Sequence, residues 1–93
     1  MREKIVEIYL REQVKKIKGV AFKFVSPGNA GVPDRIILLP WGECVFVELK
    51  APGKKTTALQ DRQIGRIQKL GFRVEILDST DRVDEFVESL KRW

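Results

Sequence analysis

Two short runs, "DRIILL" from Asp34 to Leu39 and "ECVFVELK" from Glu43 to Lys50, flank the tripeptide "PWG". Both runs are rich in β-branched and aromatic residues, and three residues is a natural length for a hairpin loop. Pro40 suits the first central position of a type I turn because its ring already sets φ, and Gly42 suits the left-handed position that follows. If the loop closes through Pro40, Trp41 and Gly42, then Leu39 pairs with Glu43. Counting outward sets Asp34 opposite Glu48, although a bulge at Gly42 would move that register by one residue.

The flanking segments place this hairpin in an α/β chain. From Arg2 to about Lys18, Val6, Leu10, Val14 and Ile17 recur at helical spacing, with Lys and Arg on the other side. Gly19 is expected to end that helix, and "VAFKFV" alternates as a short strand. "SPGNAGVP" is a loop by its turn chemistry, and "APGKKTTA" breaks the strand that ends in Lys50. "TALQ" has the form of a capping box and opens a helix carrying Ile64, Ile67 and Leu70, which stops at Gly71. "FRVEIL" is a strand, and "STDRVDEFVESLKRW" a helix with Val83, Phe86, Val87 and Leu90 on one face. The order α-β-β-β-α-β-α predicts a mixed β-sheet flanked by helices.

With 93 residues and no linker-like stretch, residues 1–93 are expected to form one domain. A domain of this size leaves roughly a third or more of its unfolded surface exposed, which makes oligomerisation a reasonable supplement. There are 18 Lys and Arg against 13 Asp and Glu, a formal charge of +5 and a pI near 9.6. That balance suits a polyanionic partner and equally suits a plain basic soluble protein. The single cysteine, Cys44, excludes an internal disulfide and a cysteine-based zinc cluster; in its apolar run it reads as a core residue. No histidine is present, so Ser-His-Asp hydrolysis and histidine-ligated metal sites are excluded. The charged N-terminus and the lack of a long apolar run predict a reducing, soluble compartment with no membrane association.

Against this background Asp34, Glu48 and Lys50 stand out. Side chains alternate along a strand, so Val45, Val47 and Leu49 share one face while Glu48 and Lys50 share the other. Directly opposed side chains lie about 5 Å apart, close enough for Asp34 and Glu48 to hold one divalent cation. Two carboxylates forced together repel, and a hard cation such as Mg²⁺ relieves the repulsion. Lys50 beside them can orient a phosphate oxygen and the attacking water, or stabilise the charge that develops at phosphorus. Taken singly, Glu48 and Lys50 make an ordinary edge-strand ion pair and Asp34 an ordinary turn residue. An Asp opening one strand and Glu-x-Lys closing its partner favour the metal site.

"PD" followed after a strand by "ELK" resembles the PD-(D/E)XK nuclease superfamily. The wider set "GNAGVPDRIILL", "VFVELKAPGKKTTALQ" and "LGFRVEILDS" is similar to the virus-type replication-repair nuclease family, VRR-NUC, over nearly the whole chain. Small stand-alone members of that family are often phage-encoded. The resemblance implies a restriction-endonuclease-like core. It implies a metal held by Asp34, Glu48 and the backbone carbonyl of Leu49, with Lys50 catalytic and Gln60 in support. Gln60 has the capping box as a second explanation. Gly31 matches the family's glycine before Pro-Asp, where close approach of DNA would exclude a side chain; a plain turn explains it equally. The family also places a glutamate on the first helix. Glu3, one helical step from Val6 and central to the apolar stripe, is preferred over Glu7 at its edge.

Lys54 and Lys55 follow the site on a glycine-containing loop, and Lys23 and Arg35 lie on strands near it. Such residues position a phosphate backbone without reading sequence, whereas Lys15, Lys16 and Lys18 read as a solvated face. Trp41 at the hairpin tip has three readings: base stacking, a dimer contact, or a cap on the core. Nothing resembles a separate recognition module, so specificity should follow DNA shape. The expectation is a Mg²⁺- or Mn²⁺-dependent endonuclease on branched DNA, with Holliday junctions the leading substrate. Two sites are needed to cut both strands, and a C2 homodimer supplies them, as in small relatives that look like junction-resolving dimers. The expected location is cytoplasmic, in a bacterial host if the chain is phage-encoded. A nickase or flap nuclease in a phage DNA-processing assembly is the runner-up. A non-catalytic DNA-binding module and a structural interaction domain are rivals from other classes.

Overall fold

The computed structural model describes residues 2–91. Met1, together with Arg92 and Trp93 at the end of the segment read as the last helix, lies outside the described residues. The elements are α1 (Glu3–Lys16), β1 (Val20–Lys23), β2 (Arg35–Leu38), β3 (Cys44–Leu49), α2 (Ala58–Lys69), β4 (Arg73–Leu77) and α3 (Thr80–Leu90). They make an α/β fold around one four-stranded mixed sheet in the order β1-β2-β3-β4, with helices on its faces. The first three strands are antiparallel, and β4 runs parallel to β3 after the α2 crossover.

The hairpin closes as its turn residues dictate. The Leu39 N–H donates to the Glu43 carbonyl at 2.9 Å, the Gly42 N–H to the Leu39 carbonyl at 2.9 Å, and Gly42 has φ +89°. The pairs Leu38–Cys44 and Arg35–Val47 follow, so the register continues to Asp34 beside Glu48 with no slip at Gly42. Trp41 packs partly buried against the core, and its Nε1 donates to Glu43 Oε1 at 2.8 Å. Of its three readings, the core cap is the one present within this chain.

One sheet face is sealed by α1 and α3. Val6, Leu10 and Val14 of α1 and Val83, Phe86, Val87 and Leu90 of α3 bury Ile37, Val45, Val47, Leu49 and Leu77. Each fully buried aliphatic side chain contributes about 1.5–3 kcal/mol, which is why this layer dominates so small a domain. The other face carries three cross-strand rows. Extending the observed pairs by one position, they are Val20, Leu38, Cys44 and Phe72; Phe22, Ile36, Phe46 and Val74; and Phe24, Asp34, Glu48 and Ile76. Among the described residues α2 is the helix that reaches this face, through Gln60 at Glu48 and Ile64, which is buried.

Two local expectations are corrected. Gly19 does not supply the left-handed turn after α1; Lys18 does, at φ +70°. Gly19 is small because a Cβ there would lie 2.9 Å from Val14 Cγ1 and 3.0 Å from the Leu38 carbonyl oxygen. Ile67 and Leu70 do not share the burial of Ile64: Ile67 is half-buried, and Leu70, the C-cap residue of α2, is 77 % exposed. No helix among the described residues is long and apolar enough to cross a membrane.

Candidate active site

Asp34 lies just before β2, after the buried Pro33, and its carbonyl still accepts the Phe24 N–H at 2.8 Å on the β1 side. Its carboxylate serves the β3 side, where Asp34 Oδ2 accepts the Leu49 N–H at 2.8 Å. The Lys50 N–H donates to the Leu77 carbonyl at 3.0 Å, so the end of β3 is held from both sides. "APG" then turns the chain away.

Glu48 is 2 % exposed, the one buried charged side chain among the described residues. Its Oε2 accepts from Gln60 Nε2 at 3.0 Å and lies 3.4 Å from Lys50 Nζ, whereas its Oε1 is buried with no hydrogen-bond partner. Burial pushes the Glu48 carboxyl up to about 7, the nearby Asp34 carboxylate adds to the shift, and Lys50 offsets part of it. A buried carboxylate with one oxygen unsatisfied and a second carboxylate beside it lacks positive charge.

Gln60 uses both ends of its amide. Its Oε1 accepts the Thr57 N–H at 3.0 Å while its own backbone N–H donates to Thr57 Oγ1 at 3.2 Å, completing the capping box, and its Nε2 holds Glu48. Both explanations that the sequence offers for this residue are present as contacts. Helix α2 therefore enters the site at a fixed point.

A cleft of about 490 Å³ opens in front of Asp34 and Leu49, and the buried Glu48 is not part of its lining. Glu3, Lys4 and Glu7 of α1 line it, together with Lys23, Phe24 and Arg35. Glu3, the first residue of α1, is exposed on the open cleft, contrary to its expected inward position. Glu7 is half-buried, 2.6 Å from Arg35 Nη2 and 3.3 Å from Arg11 Nε. The Glu7–Arg35 pair escapes sequence reasoning, since no local signal relates the two positions. Neither glutamate joins Asp34 and Glu48: among the described residues no third Asp, Glu, His or Cys completes a group around them. Lys54 and Lys55 are exposed on the following turn, outside the cleft wall. Gly31, at φ +90°, has an internal reason to be glycine, since a Cβ would lie 2.9 Å from Leu59 Cγ and 3.0 Å from the Leu59 carbonyl oxygen. The Gln63 amide donates to the Ala30 carbonyl at 3.2 Å, so the loop before Asp34 is pinned to α2.

The donor set fits a hard cation. Asp34, Glu48 and the Leu49 carbonyl all offer oxygen donors, and the unsatisfied Glu48 Oε1 is an atom that such an ion would serve.

Comparison with known proteins agrees with this geometry. The VRR-NUC domain matches residues 1–81. "Putative nuclease p44" of Acyrthosiphon pisum secondary endosymbiont phage 1 is 52 % identical over 81 residues, 87 % of each chain. A solved "VRR_NUC domain" superposes with a TM-score of 0.89 at 31 % identity, covering 96 % of this chain and 97 % of that one. Matched over most of its length by that domain, with the carboxylate pair and the lysine gathered at one end of the sheet, the chain belongs to the VRR-NUC family of nucleases.

Proposed function

We propose that residues 1–93 form a single-domain endonuclease that hydrolyses phosphodiester bonds in branched DNA, with four-way junctions as preferred substrate, working as a homodimer in the cytoplasm of a bacterial host. The observation that carries this reading is the Asp34–Glu48 pair, with a buried, unsatisfied Glu48 oxygen and the Lys50 ammonium 3.4 Å from its fellow oxygen. Asp34, Glu48 and the Leu49 carbonyl would hold Mg²⁺ or Mn²⁺. When bound, such a cation supplies Lewis-acid polarisation of the phosphate and acidifies water.

The chain's own groups do the rest. Lys50 presents positive charge where the phosphoryl oxygens gain negative charge, in a place fixed by its backbone bond to Leu77. Gln60 fixes the rotamer of Glu48. Lys23, Arg35, Lys54 and Lys55 and the backbone at Gly31 contact phosphates around the cleft, and a carboxylate from α1, Glu3 or Glu7, faces the same space.

The test is incubation of labelled four-way junction, flap and linear duplex with Mg²⁺, Mn²⁺ or EDTA. Paired incisions in the junction that require a divalent ion are expected. Cutting confined to one strand of a flap would replace the junction assignment with a flap nuclease. Metal-independent binding without cleavage of any substrate would reduce the chain to a DNA-binding module.

A further inference from the structure

Two of the three rows on the α2 side of the sheet contain no charged side chain. Of the charges borne by the strands, Glu48 belongs to the third row and Lys23, Arg35, Arg73 and Glu75 fall on the alternate positions; Arg35 bonds Glu7 of α1 and Arg73 bonds Ser89 of α3. Helix α2 reaches the carboxylate row at Glu48 through Gln60, while Ile76 at the end of that row is 46 % exposed and the other two rows stand largely open. Phe22 is 56 % exposed, Val20 and Phe72 are each 45 % exposed, and Leu38 is 41 % exposed. Phe46, at the centre, packs against Phe24 in a tilted pair and Phe72 in an edge-to-face pair, with centroids 5.6 and 5.8 Å away, so the patch is ordered without being covered.

We propose that these eight positions, Val20, Leu38, Cys44 and Phe72 with Phe22, Ile36, Phe46 and Val74, form the surface on which a second copy of the chain docks about a two-fold axis. Charge and area both favour that occupant. A duplex is excluded because the patch offers no cation to a phosphate. A chain of formal charge +5 repels its own copy, except through a face from which the charges are absent. The four most exposed side chains leave roughly 350 Å² of apolar surface, taking about 200 Å² for a free aromatic. A standard interface buries about 800 Å² per partner, of which about 60 % is apolar, so the patch approaches one complete interface core. A patch of this kind is self-complementary under two-fold rotation.

This surface rests on the homodimeric reading above and deepens it by identifying where the copies meet. Glu48 lies two residues along β3 from Phe46 on the same face, so the interface borders the carboxylate row and sets the separation of the two sites.

Sedimentation velocity across the micromolar range tests it. The wild-type protein should sediment at twice its chain mass of 10.7 kDa, and Phe22→Glu and Leu38→Lys at the single-chain mass with unchanged far-UV circular dichroism. Both variants should still nick DNA but lose paired incision of a four-way junction. Should they fail to fold, the wild-type Cys44 thiol decides: its labelling by a maleimide should slow severalfold as protein concentration rises. A wild-type monomer throughout the range, variants that keep the wild-type mass, or labelling independent of concentration would overturn the proposal. A dimer that cuts no DNA would instead sink the nuclease reading and leave the surface standing.

Discussion

Along β3, successive side chains enter two different environments. Val45, Val47 and Leu49 point into a layer sealed by α1 and α3, whose buried core is apolar and whose Arg35–Glu7 ion pair stands at the cleft. Cys44, Phe46 and Glu48 point toward a face that a single helix covers at one end. There a carboxylate can be buried because Gln60 and Lys50 contact it, and aromatic residues can stand half-open because nothing among the described residues closes over them. The sealed face supplies stability. The half-sealed face gives some of it up to an unsatisfied carboxylate and an open apolar patch.

Substitutions on the two faces should therefore have effects of different kinds. The largest is expected for Glu48→Gln, which should lower metal-dependent cleavage by about 1000-fold or more while sparing or strengthening DNA binding, because it removes a charged ligand and a negative charge near phosphate. Single-turnover cleavage beside a binding titration would show this; cleavage at the wild-type rate would remove Glu48 from the site.

Next in size is the contrast between leucines on either side of the sheet. Leu10→Ala, at a fully buried position, should cost about 3–4 kcal/mol, whereas Leu38→Ala should cost less than about 1 kcal/mol in protein dilute enough to be monomeric. Urea denaturation of both would break the comparison if the two losses were equal.

A third effect concerns pH in chelator-treated protein. Folded Glu48 titrates at about 7 against an ordinary value of 4.5, so the folded state binds more protons in that window and stability falls as pH rises through it. Glu48→Gln removes this dependence. The variant should be roughly 2–3 kcal/mol more stable than wild type at pH 8 and nearly equal to it at pH 4.5, as read from denaturation midpoints. An inactive variant more stable than its parent would identify the carboxylate site as the strained part of the fold.

The smallest effect is expected for Gln60→Ala. Loss of the amide contact to Glu48 should cost about 10–100-fold in cleavage, and loss of the cap about 1 kcal/mol in stability. If stability fell with no change in rate, Gln60 would serve the helix alone.

Much of this is legible in the chain. The turn chemistry of Pro40 and Gly42 determines the hairpin register and so places Asp34 beside Glu48. Apolar spacing locates α1 and α3, and Thr57 with Gln60 locates the start of α2. These are local signals, encoded within a few residues of where they act. Other assignments depend on contacts that no local pattern encodes. Periodicity sets Glu3 in the centre of a stripe, but it does not show that this first residue of α1 stands exposed on an open cleft. Gly19 and Gly31 read as turn formers, yet the space beside them is taken by Val14 and Leu59, from α1 and from α2 respectively.

The sequence by itself determined which residues alternate, where the chain turns, and hence that two carboxylates and a lysine share one end of one hairpin. Only the tertiary structure decided how each of them is surrounded. The burial of Glu48, the engagement of Glu7 by Arg35 and the opening of an apolar face beyond α2 all depend on where helices stop over a sheet. Alternation along a strand is fixed by covalent geometry, whereas coverage is set by the packing of elements distant in the chain.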